Sequence, residues 1–290
     1  MTVFNFGSIN IDHIYKVPHF VRPGETLRCE SLNTVLGGKG ANQSVALARA
    51  GINVNHVGRL NIADDWALNL LEQSGVDCEF IELCNEPSGH AIIQVDSDAE
   101  NAIVLHGGAN QNFATERIHA VLRGANVGDY LLMQNEVNLI DQAFAMGIAR
   151  GMKLVLNPAP MSESIKDLPL DKLEILIVNQ IEAQMLSGVE ALDDIIETLE
   201  HKLPETMIVI TLGAAGAVLS SKKKRFEQCA YAVDAVDTTA AGDTFVGYFL
   251  AALIQGMDEQ SALKHASKAA ALAVSVAGAI PSIPCAADLK

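Results

Sequence analysis

The chain has 290 residues, of which 49% are hydrophobic and 19% charged, with a net charge of −15 at pH 7. This composition builds a packed core and excludes disordered, fibrous and low-complexity proteins. The acidic balance repels nucleic acids and anionic membrane surfaces, and neither is expected as a partner. The one basic run, residues 222–225, is interpreted as a solvated loop or hairpin edge.

Five cysteines (Cys29, Cys78, Cys84, Cys229 and Cys285) contain no CxxC pair, so neither a disulfide framework nor a zinc site is predicted. The N-terminal residues lack the pattern of a signal peptide. The longest apolar run, residues 269–280, is shorter than the roughly 20 residues that span a bilayer. We therefore expect a reduced, cytoplasmic protein.

Short apolar runs that end in polar residues recur along the chain and alternate with helical patterns. They are VFNFG before Ser8 and Asn10, YLLMQ before Asn135 and Glu136, KLVL before Asn157, ILIV before Asn179 and MIVI before Thr211. Helical patterns follow at residues 139–150, 181–186 and 192–203. This alternation predicts an α/β fold with a Rossmann-like parallel sheet sandwiched by helices. Ligands of such sheets bind at the carboxyl ends of the strands, where these polar residues collect.

No internal repeat or linker divides the chain, so residues 1–290 are interpreted as one domain. Two segments, at about residues 13–36 and 88–106, interrupt the alternation. The second is typical of a hairpin, because AIIQV and NAIVLH flank the polar turn at residues 96–100. We expect a small sheet that stands off the main domain as a lid or a dimer contact.

The glycine-rich segment at residues 37–43, GGKGANQ, precedes a helical pattern that stops at Gly51. Glycines and a helix N-terminus leave N–H groups bare, and Lys39 and Asn42 add donors. The spacing fits neither a Walker A loop nor a GxGxxG fingerprint. We interpret it as a polyol or phosphate cradle, and a tight turn with Lys39 in solvent is the alternative.

A second small-residue segment, DTTAAGD at residues 237–243, precedes a helix whose apolar stripe ends before Gly256. Ala240, Ala241 and Gly242 leave N–H groups that can hold a developing anion. Asp243, in the first turn, can accept a proton from an attacking hydroxyl. The alternative is that Asp243 only complements the helix dipole.

Two further strand ends carry weaker signals. The turn TLGAAG at residues 211–216 contains two glycines. Asn179 and Glu182 can order water around Mg²⁺, although a Glu at this position is also ordinary capping chemistry.

Together these segments resemble the ribokinase (PfkB) family of carbohydrate kinases. GGKGANQSVALARAG looks like the first family signature and DTTAAGD like the second, with Ala240 where most members carry Gly. Further matches are SINID at residue 8, PGET at residue 23, GGAN at residue 107, NPAP at residue 157, NQIE at residue 179 and TLGAAG at residue 211. The loop RLNIADDWA at residue 59 departs from the usual Gly-Asp-Asp pattern.

The resemblance implies ATP-dependent phosphorylation of the primary hydroxyl of a small sugar, the 5-hydroxyl of D-ribose in the type member. It makes Asp243 the base beside an anion hole of Ala240, Ala241 and Gly242. The implied sugar-binding residues are Asn10, Asp12, Gly38, Lys39, Gly40, Ala41, Asn42, Glu136 and Asp243. The implied nucleotide-binding residues are Asn179, Thr211, Leu212, Gly213, Ala214, Ala215, Gly216, Gly242 and Asp243.

The resemblance also implies two metal ions and a homodimer formed through the lid. Glu182 would approach Mg²⁺ through water. The implied K⁺ residues, mostly through main-chain oxygens, are Asp237, Thr239, Ala273, Val276, Gly278 and Ser282.

Two other functions stay open at this point. One is a kinase of the same fold with another acceptor, such as deoxyribose, fructose or a nucleoside. The other is a sugar or nucleotide sensor without catalysis, which would be expected to have lost Asp243 or the anion hole.

Overall fold

A computed structural model describes residues 1–98 and 100–289. Ala99, in the predicted hairpin turn, and Lys290, at the end of the predicted domain, lie outside the described residues. The strands are β1 Val3–Phe6, β2 Asn10–Lys16, β3 Ser31–Gly37, β4 Val54–Asn61, β5 Ile81–Cys84, β6 Gly89–Val95, β7 Asn101–His106, β8 Tyr130–Gln134, β9 Lys153–Asn157, β10 Ile175–Asn179, β11 Met207–Thr211, β12 Ala217–Ser221 and β13 Lys224–Gln228. The helices are α1 Lys39–Arg49, α2 Asp65–Gln73, α3 Thr115–Leu122, α4 Ile140–Ala149, α5 Gln180–Ser187, α6 Leu192–Lys202, α7 Ala241–Ile254 and α8 Glu259–Val274.

The main sheet has the order β13-β12-β11-β10-β9-β8-β1-β4-β5, and its strands from β11 to β5 are parallel. Successive residues of a strand enter opposite cores, because side chains alternate across a sheet. In β10, Ile175 and Ile177 pack with α1, α2, α7 and α8, whereas Leu176 and Val178 pack with α3 to α6. The predicted fold class, a parallel sheet between two layers of helices, is confirmed.

A second sheet of four strands has the order β3-β2-β6-β7. Its pairs β2–β3 and β6–β7 are antiparallel, and β2–β6 is parallel. The sheet begins at Asn10, three residues before the segment predicted from the sequence, so Asn10 and Asp12 lie in this sheet. We call it the small sheet. It places both side chains beside the carboxyl end of β1.

The interpretation of the basic run as a hairpin edge is confirmed: β12 and β13 form an antiparallel hairpin. The sequence did not predict that this hairpin would extend the main sheet. The basic run supplies the two turn residues, Lys222 and Lys223, with φ of 47° and 64°, and the start of β13. Left-handed conformation at both turn residues matches the twist of a two-residue hairpin. Among the described residues, no helix is long and apolar enough to cross a membrane.

Candidate active site

Asn10 and Asp12 are held at the base of the small sheet by backbone and amide contacts. The Asn10 Oδ1 atom accepts a hydrogen bond from Asn110 Nδ2 at 2.8 Å, and Asn110 also bonds to both backbone groups of Ile9, at 3.1 Å each. The Asp12 carboxylate lies against Gly37, where an added Cβ would come within 2.1 Å of Asp12 Oδ2. Glycine at position 37 therefore leaves room for this carboxylate.

The start of α1 is fixed against the end of β1 and a carboxylate from the loop after β8. Glu136 Oε2 accepts hydrogen bonds from the Lys39 N–H at 3.0 Å and from the Ser8 hydroxyl. A Cβ on Gly40 would lie 2.4 Å from the Ser8 backbone nitrogen, so only glycine permits this approach. Gly38, the residue before the helix, has φ of 92°. The predicted glycine-rich cradle is thus a rigid backbone turn.

Charged groups of both signs face each other in this region. Burial, with a smaller contribution from Glu136, raises the pKa of Asp12 to about 6. Burial also raises the pKa of Glu136 above its usual range. Burial alone would lower the pKa of the Lys39 ammonium, but the charges of Asp243, Glu136 and Glu182 outweigh it and raise that pKa. Lys39 therefore stays a cation among carboxylates.

Asp243 lies in the first turn of α7 and is buried. Its Oδ2 atom accepts a hydrogen bond from Asn42 Nδ2, and its Oδ1 atom accepts one from Gln43 Nε2, both at 2.9 Å. The structure therefore brings the two segments singled out in the sequence into direct contact across about two hundred residues of chain.

The backbone segment before Asp243 contains the three residues of the predicted anion hole. Ala240 is left-handed, with φ of 59° and ψ of 7°, and no side chain caps α7. A Cβ on Gly242 would meet nothing within 4 Å, so this residue faces open space. The Ala241 N–H donates to the Thr238 carbonyl at 3.3 Å, so one of the three predicted donors already has an acceptor.

A cleft of about 1140 Å³ runs below the small sheet and gathers most of these groups. Predicted site residues that line it are Asn10, Asp12, Gly38, Lys39, Asn42, Glu136, Asp237, Thr239, Ala240, Asp243 and Gly278. Apolar side chains of the small sheet and α2 form its other walls, including Ile103, Leu105 and Trp66. Gly40 and Ala41 are buried beneath it.

The predicted K⁺ residues lie on the loop before α7 and, on the other side, at the end of α8 and in the segment that follows it; hydrogen bonds join the two sides. Asp237 accepts from the Gly278 N–H at 2.8 Å and from the Thr239 N–H at 2.9 Å. Burial acts to raise the pKa of Asp237, but these hydrogen bonds outweigh it and lower that pKa. Ala273 accepts from the Val276 N–H at 3.2 Å. Ser282 lies in the following 3₁₀ turn and donates only to Ala279 O at 2.7 Å among the contacts described.

Apart from Gly242 and Asp243, which belong to α7, the predicted nucleotide residues lie at the carboxyl ends of β10 and β11, outside the lining of the cleft. Asn179 and Thr211 are partners in the register of these strands. Asn179 and Glu182 form a capping box, with Asn179 Oδ1 accepting at 2.8 Å and Glu182 Oε2 accepting at 2.9 Å. The turn after β11 contains Gly213 and Gly216, both with positive φ. Glu182 therefore lies in the first turn of α5 and keeps one carboxylate oxygen, Oε1, outside the capping box.

No cluster of three or more His, Cys, Asp or Glu able to hold a metal occurs in residues 1–98 and 100–289.

A set of buried amides behind the cleft, at Asn5, Gln43 and Gln134, was not predicted from the sequence. Asn5 was a usable signal, because a single amide inside the apolar strand VFNF needs a polar partner in the core.

Comparison with known proteins was made on sequence and on structure. The family model described as "pfkB family carbohydrate kinase" matches residues 2–286. The ribokinase of Haemophilus influenzae is 39% identical over 98% of this chain and 95% of its own. A ribokinase structure from Cryptococcus neoformans var. grubii, in complex with ADP, has a TM-score of 0.85 at 32% identity, covering 100% of this chain and 98% of its own. The Arabidopsis thaliana ribokinase complexed with ribose and ATP has a TM-score of 0.87 at 29% identity, covering 99% and 96%.

The fold, the cleft and these matches define one class of protein. The chain belongs to the pfkB family of carbohydrate kinases.

Proposed function

We propose that this chain transfers the γ-phosphoryl group of ATP to the primary 5-hydroxyl of D-ribose, giving ribose 5-phosphate and ADP. One observation carries the proposal: Asp243, at the N-terminus of α7, lies in the same cleft as Asn10, Asp12, Lys39 and Glu136. The similarity to ribokinases, one of them bound to ribose and ATP, supports ribose as the acceptor.

The polar end of the cleft suits a neutral sugar. Asp12 and Glu136 accept hydrogen bonds from hydroxyls, whereas Asn10, Asn42 and Lys39 can donate them. Bonds between a carboxylate and a hydroxyl are charge-assisted and directional, so a few of them fix the orientation of a polyol. Gly38, Gly40 and Ala41 give the backbone turn that presents Lys39 and Asn42.

The transfer step requires a base and a site for negative charge. Asp243 accepts the proton of the 5-hydroxyl while that oxygen bonds to the γ-phosphorus and the bond from phosphorus to the β-phosphate oxygen breaks. N–H groups of Ala240, Ala241 and Gly242, together with the positive end of α7, stabilise the equatorial oxygens in the transition state. The Ala241 N–H leaves the Thr238 carbonyl, 3.3 Å away, when it serves this purpose.

The nucleotide would lie across the carboxyl ends of β10 and β11 and reach the start of α7. The residues along its path would be Asn179, Thr211, Leu212, Gly213, Ala214, Ala215, Gly216, Gly242 and Asp243. The free Oε1 of Glu182 fits a water ligand of Mg²⁺, an ion that keeps several waters and binds phosphate oxygens. When bound, Mg²⁺ neutralises charge on the phosphates.

The segments that contain Asp237 and Gly278 are joined by a hydrogen bond and offer main-chain oxygens next to a carboxylate. This donor set fits a monovalent cation such as K⁺. The residues that would hold it are Asp237, Thr239, Ala273, Val276, Gly278 and Ser282.

The proposal is tested by measuring ADP release with Mg-ATP and ribose, deoxyribose, fructose, adenosine or inosine as acceptor, with and without K⁺. We expect fastest turnover on ribose and stimulation by K⁺. Asp243→Asn should lower kcat by about 10³-fold, because it removes the base.

The other outcomes discriminate among the alternatives. A preference for deoxyribose, fructose or a nucleoside would keep the mechanism and reject the acceptor. Binding of ATP or sugar without turnover on any acceptor would indicate a sensor and reject catalysis.

We also propose a homodimer formed through the small sheet, and a location in the cytoplasm. Strand β7 exposes Ile103, Val104 and Leu105, each more than half accessible, and β6 and β3 add Ile92 and Leu32. Apolar residues grouped on one small sheet are typical of an interaction surface.

A further inference from the structure

Behind the cleft, four buried amide side chains form one continuous hydrogen-bonded chain that ends at Asp243. They are Asn5, Gln43, Gln134 and Asn157. Each comes from a different element, namely β1, α1, β8 and β9. Asn5, Gln43 and Gln134 have no solvent-accessible surface, and Asn157 is 8% exposed. We call this set the amide chain.

The hydrogen-bond directions in the amide chain converge on the carboxylate. Gln43 Nε2 donates to Asp243 Oδ1 at 2.9 Å and to Asn157 Oδ1 at 3.0 Å. Gln43 Oε1 accepts from Gln134 Nε2 at 2.6 Å. Gln134 Nε2 donates also to Asn5 Oδ1 at 2.9 Å. Both N–H bonds of the Gln43 amide and its carbonyl oxygen therefore have partners, and Gln43 contacts Asp243 only as a hydrogen-bond donor.

We infer that Gln43 is a positioning residue that holds the Asp243 carboxylate in one orientation, with Gln134 and Asn5 holding Gln43. The inference rests on the proposed function, in which Asp243 is the base. Asn42, the other donor to Asp243, lines the cleft and is needed by the acceptor, whereas Gln43 lies entirely on the protein side. Buried amides cost free energy, and Gln134 Oε1 has no hydrogen-bond partner among the described residues, so apolar residues would fill this space more cheaply if packing were the only role.

The charged groups that face Asp243 are Lys39 of α1, Glu136 after β8 and Glu182 of α5. None of them has a hydrogen bond to Gln43 among the described contacts. A neutral substitution at position 43 therefore changes the donor to Asp243 and leaves these three charges in place.

The test compares Gln43→Met with Thr206→Val and uses Asp243→Asn as reference. Methionine has nearly the size of glutamine but donates no hydrogen bond. Thr206 is also buried; its hydroxyl donates to the Leu173 carbonyl at 2.9 Å, at the amino ends of β10 and β11 and therefore away from Asp243. Turnover is measured over a range of sugar and ATP concentrations, and sugar binding is followed by the fluorescence of Trp66, the sole tryptophan, which lines the cleft.

For Gln43→Met we expect kcat to fall by about 10- to 100-fold, because a slightly misplaced group costs rates of this order. KM for sugar and ATP should change little. The loss should therefore appear in kcat and not in KM, a split that a general loss of stability would not produce. Thr206→Val should lower Tm but keep the kcat of the unmodified protein.

An unchanged kcat in a folded Gln43→Met protein would overturn the inference, as would equal losses of kcat in Gln43→Met and Thr206→Val. If Gln43→Met does not fold, Gln134→Leu removes the donor that holds Gln43 and should lower kcat in the same direction; wild-type kcat there rejects the inference. The base role itself fails separately, if Asp243→Asn keeps its turnover.

Discussion

At the scale of single residues, stability favours a protonated Asp12, whereas the proposed sugar binding favours an ionised one. Its pKa of about 6, raised by burial and Glu136, means that folding disfavours the ionised carboxylate. In the unfolded chain the pKa is near the ordinary 3.8. The folded protein therefore gains stability as the pH falls through 6, and above 6 the charge of Asp12 lowers the free energy of unfolding.

We predict that Asp12→Asn raises Tm at pH 7.5 and that the gain disappears as the pH falls from 6 towards 4. The same variant should lower kcat/KM for the acceptor by about 10- to 100-fold, because a charge-assisted hydrogen bond is lost. Calorimetric melting and steady-state kinetics across this pH range measure both effects. A lower Tm at pH 7.5 would contradict the role of burial in the Asp12 pKa.

Ala240 is the other residue whose own conformation permits a prediction. A left-handed conformation costs a residue with a Cβ about 1–2 kcal/mol. Glycine avoids this cost, but it also raises the conformational entropy of the unfolded chain, which cancels part of the stabilisation. Ala240→Gly should therefore stabilise by at most about 1 kcal/mol and leave kcat nearly unchanged.

Ala240→Val, at the same position, should lower kcat by about 10²-fold or more, because a β-branched residue shifts the N–H groups at the start of α7. Urea unfolding and turnover of the two variants test this pair of expectations. Normal turnover in Ala240→Val would show that the left-handed backbone at position 240 is not needed for catalysis.

At the scale of elements, the position of α7 against α1 decides where Asp243 lies. A Cβ on Gly247 would come within 2.4 Å of Ala46 Cβ and 3.0 Å of the Leu47 nitrogen, so the two helices cross in near backbone contact. Asn42 and Gln43, which bind Asp243, lie on α1 one turn before this crossing.

We predict that Gly247→Ala forces the helices apart, lowers the free energy of unfolding by about 1–3 kcal/mol and reduces kcat. Gly124→Ala is the matched control, because the nearest atom to its added Cβ, Val121 O, is 3.6 Å away. Unfolding curves and turnover of both variants measure the effect, and equal stability losses would count against a close crossing at Gly247.

Elements with one clear periodicity could be predicted from the sequence, and long-range side-chain partners could not. The five strand ends with polar residues and the starts of α1 and α7 follow from hydrophobic period and small residues. The role of Glu182 in a capping box was open, since N-terminal carboxylates serve both capping and ligand binding. The contact between Gln43 and Asp243 could not be predicted, because the residue type of Gln43 does not show which strands and helices pack around it.

At the scale of the whole molecule, the two faces of the small sheet have different surroundings. Ile103 and Leu105 line the cleft, whereas Val104 is on the opposite face with its register partner Ile92. Val104 is 65% exposed, so its substitution tests the proposed dimer without entering the cleft.

We predict that Val104→Asp converts a dimer to a monomer, because it buries a charge in the apolar contact between two copies. Light scattering of the intact protein and the variant measures this, and circular dichroism verifies that the small sheet is retained. A monomer signal from both proteins would reject the dimer.

The hydrogen bond between Asn42 and Asp243 joins residues 201 positions apart. During synthesis on the ribosome, the side chains of the first third of the chain that we propose to bind sugar emerge long before α7. A nascent polypeptide that has reached residue 230 thus possesses most of the main sheet but not Asp243. Such distant closure is slow to form, so the contact between Asn42 and Asp243 is among the last parts of the fold to be completed.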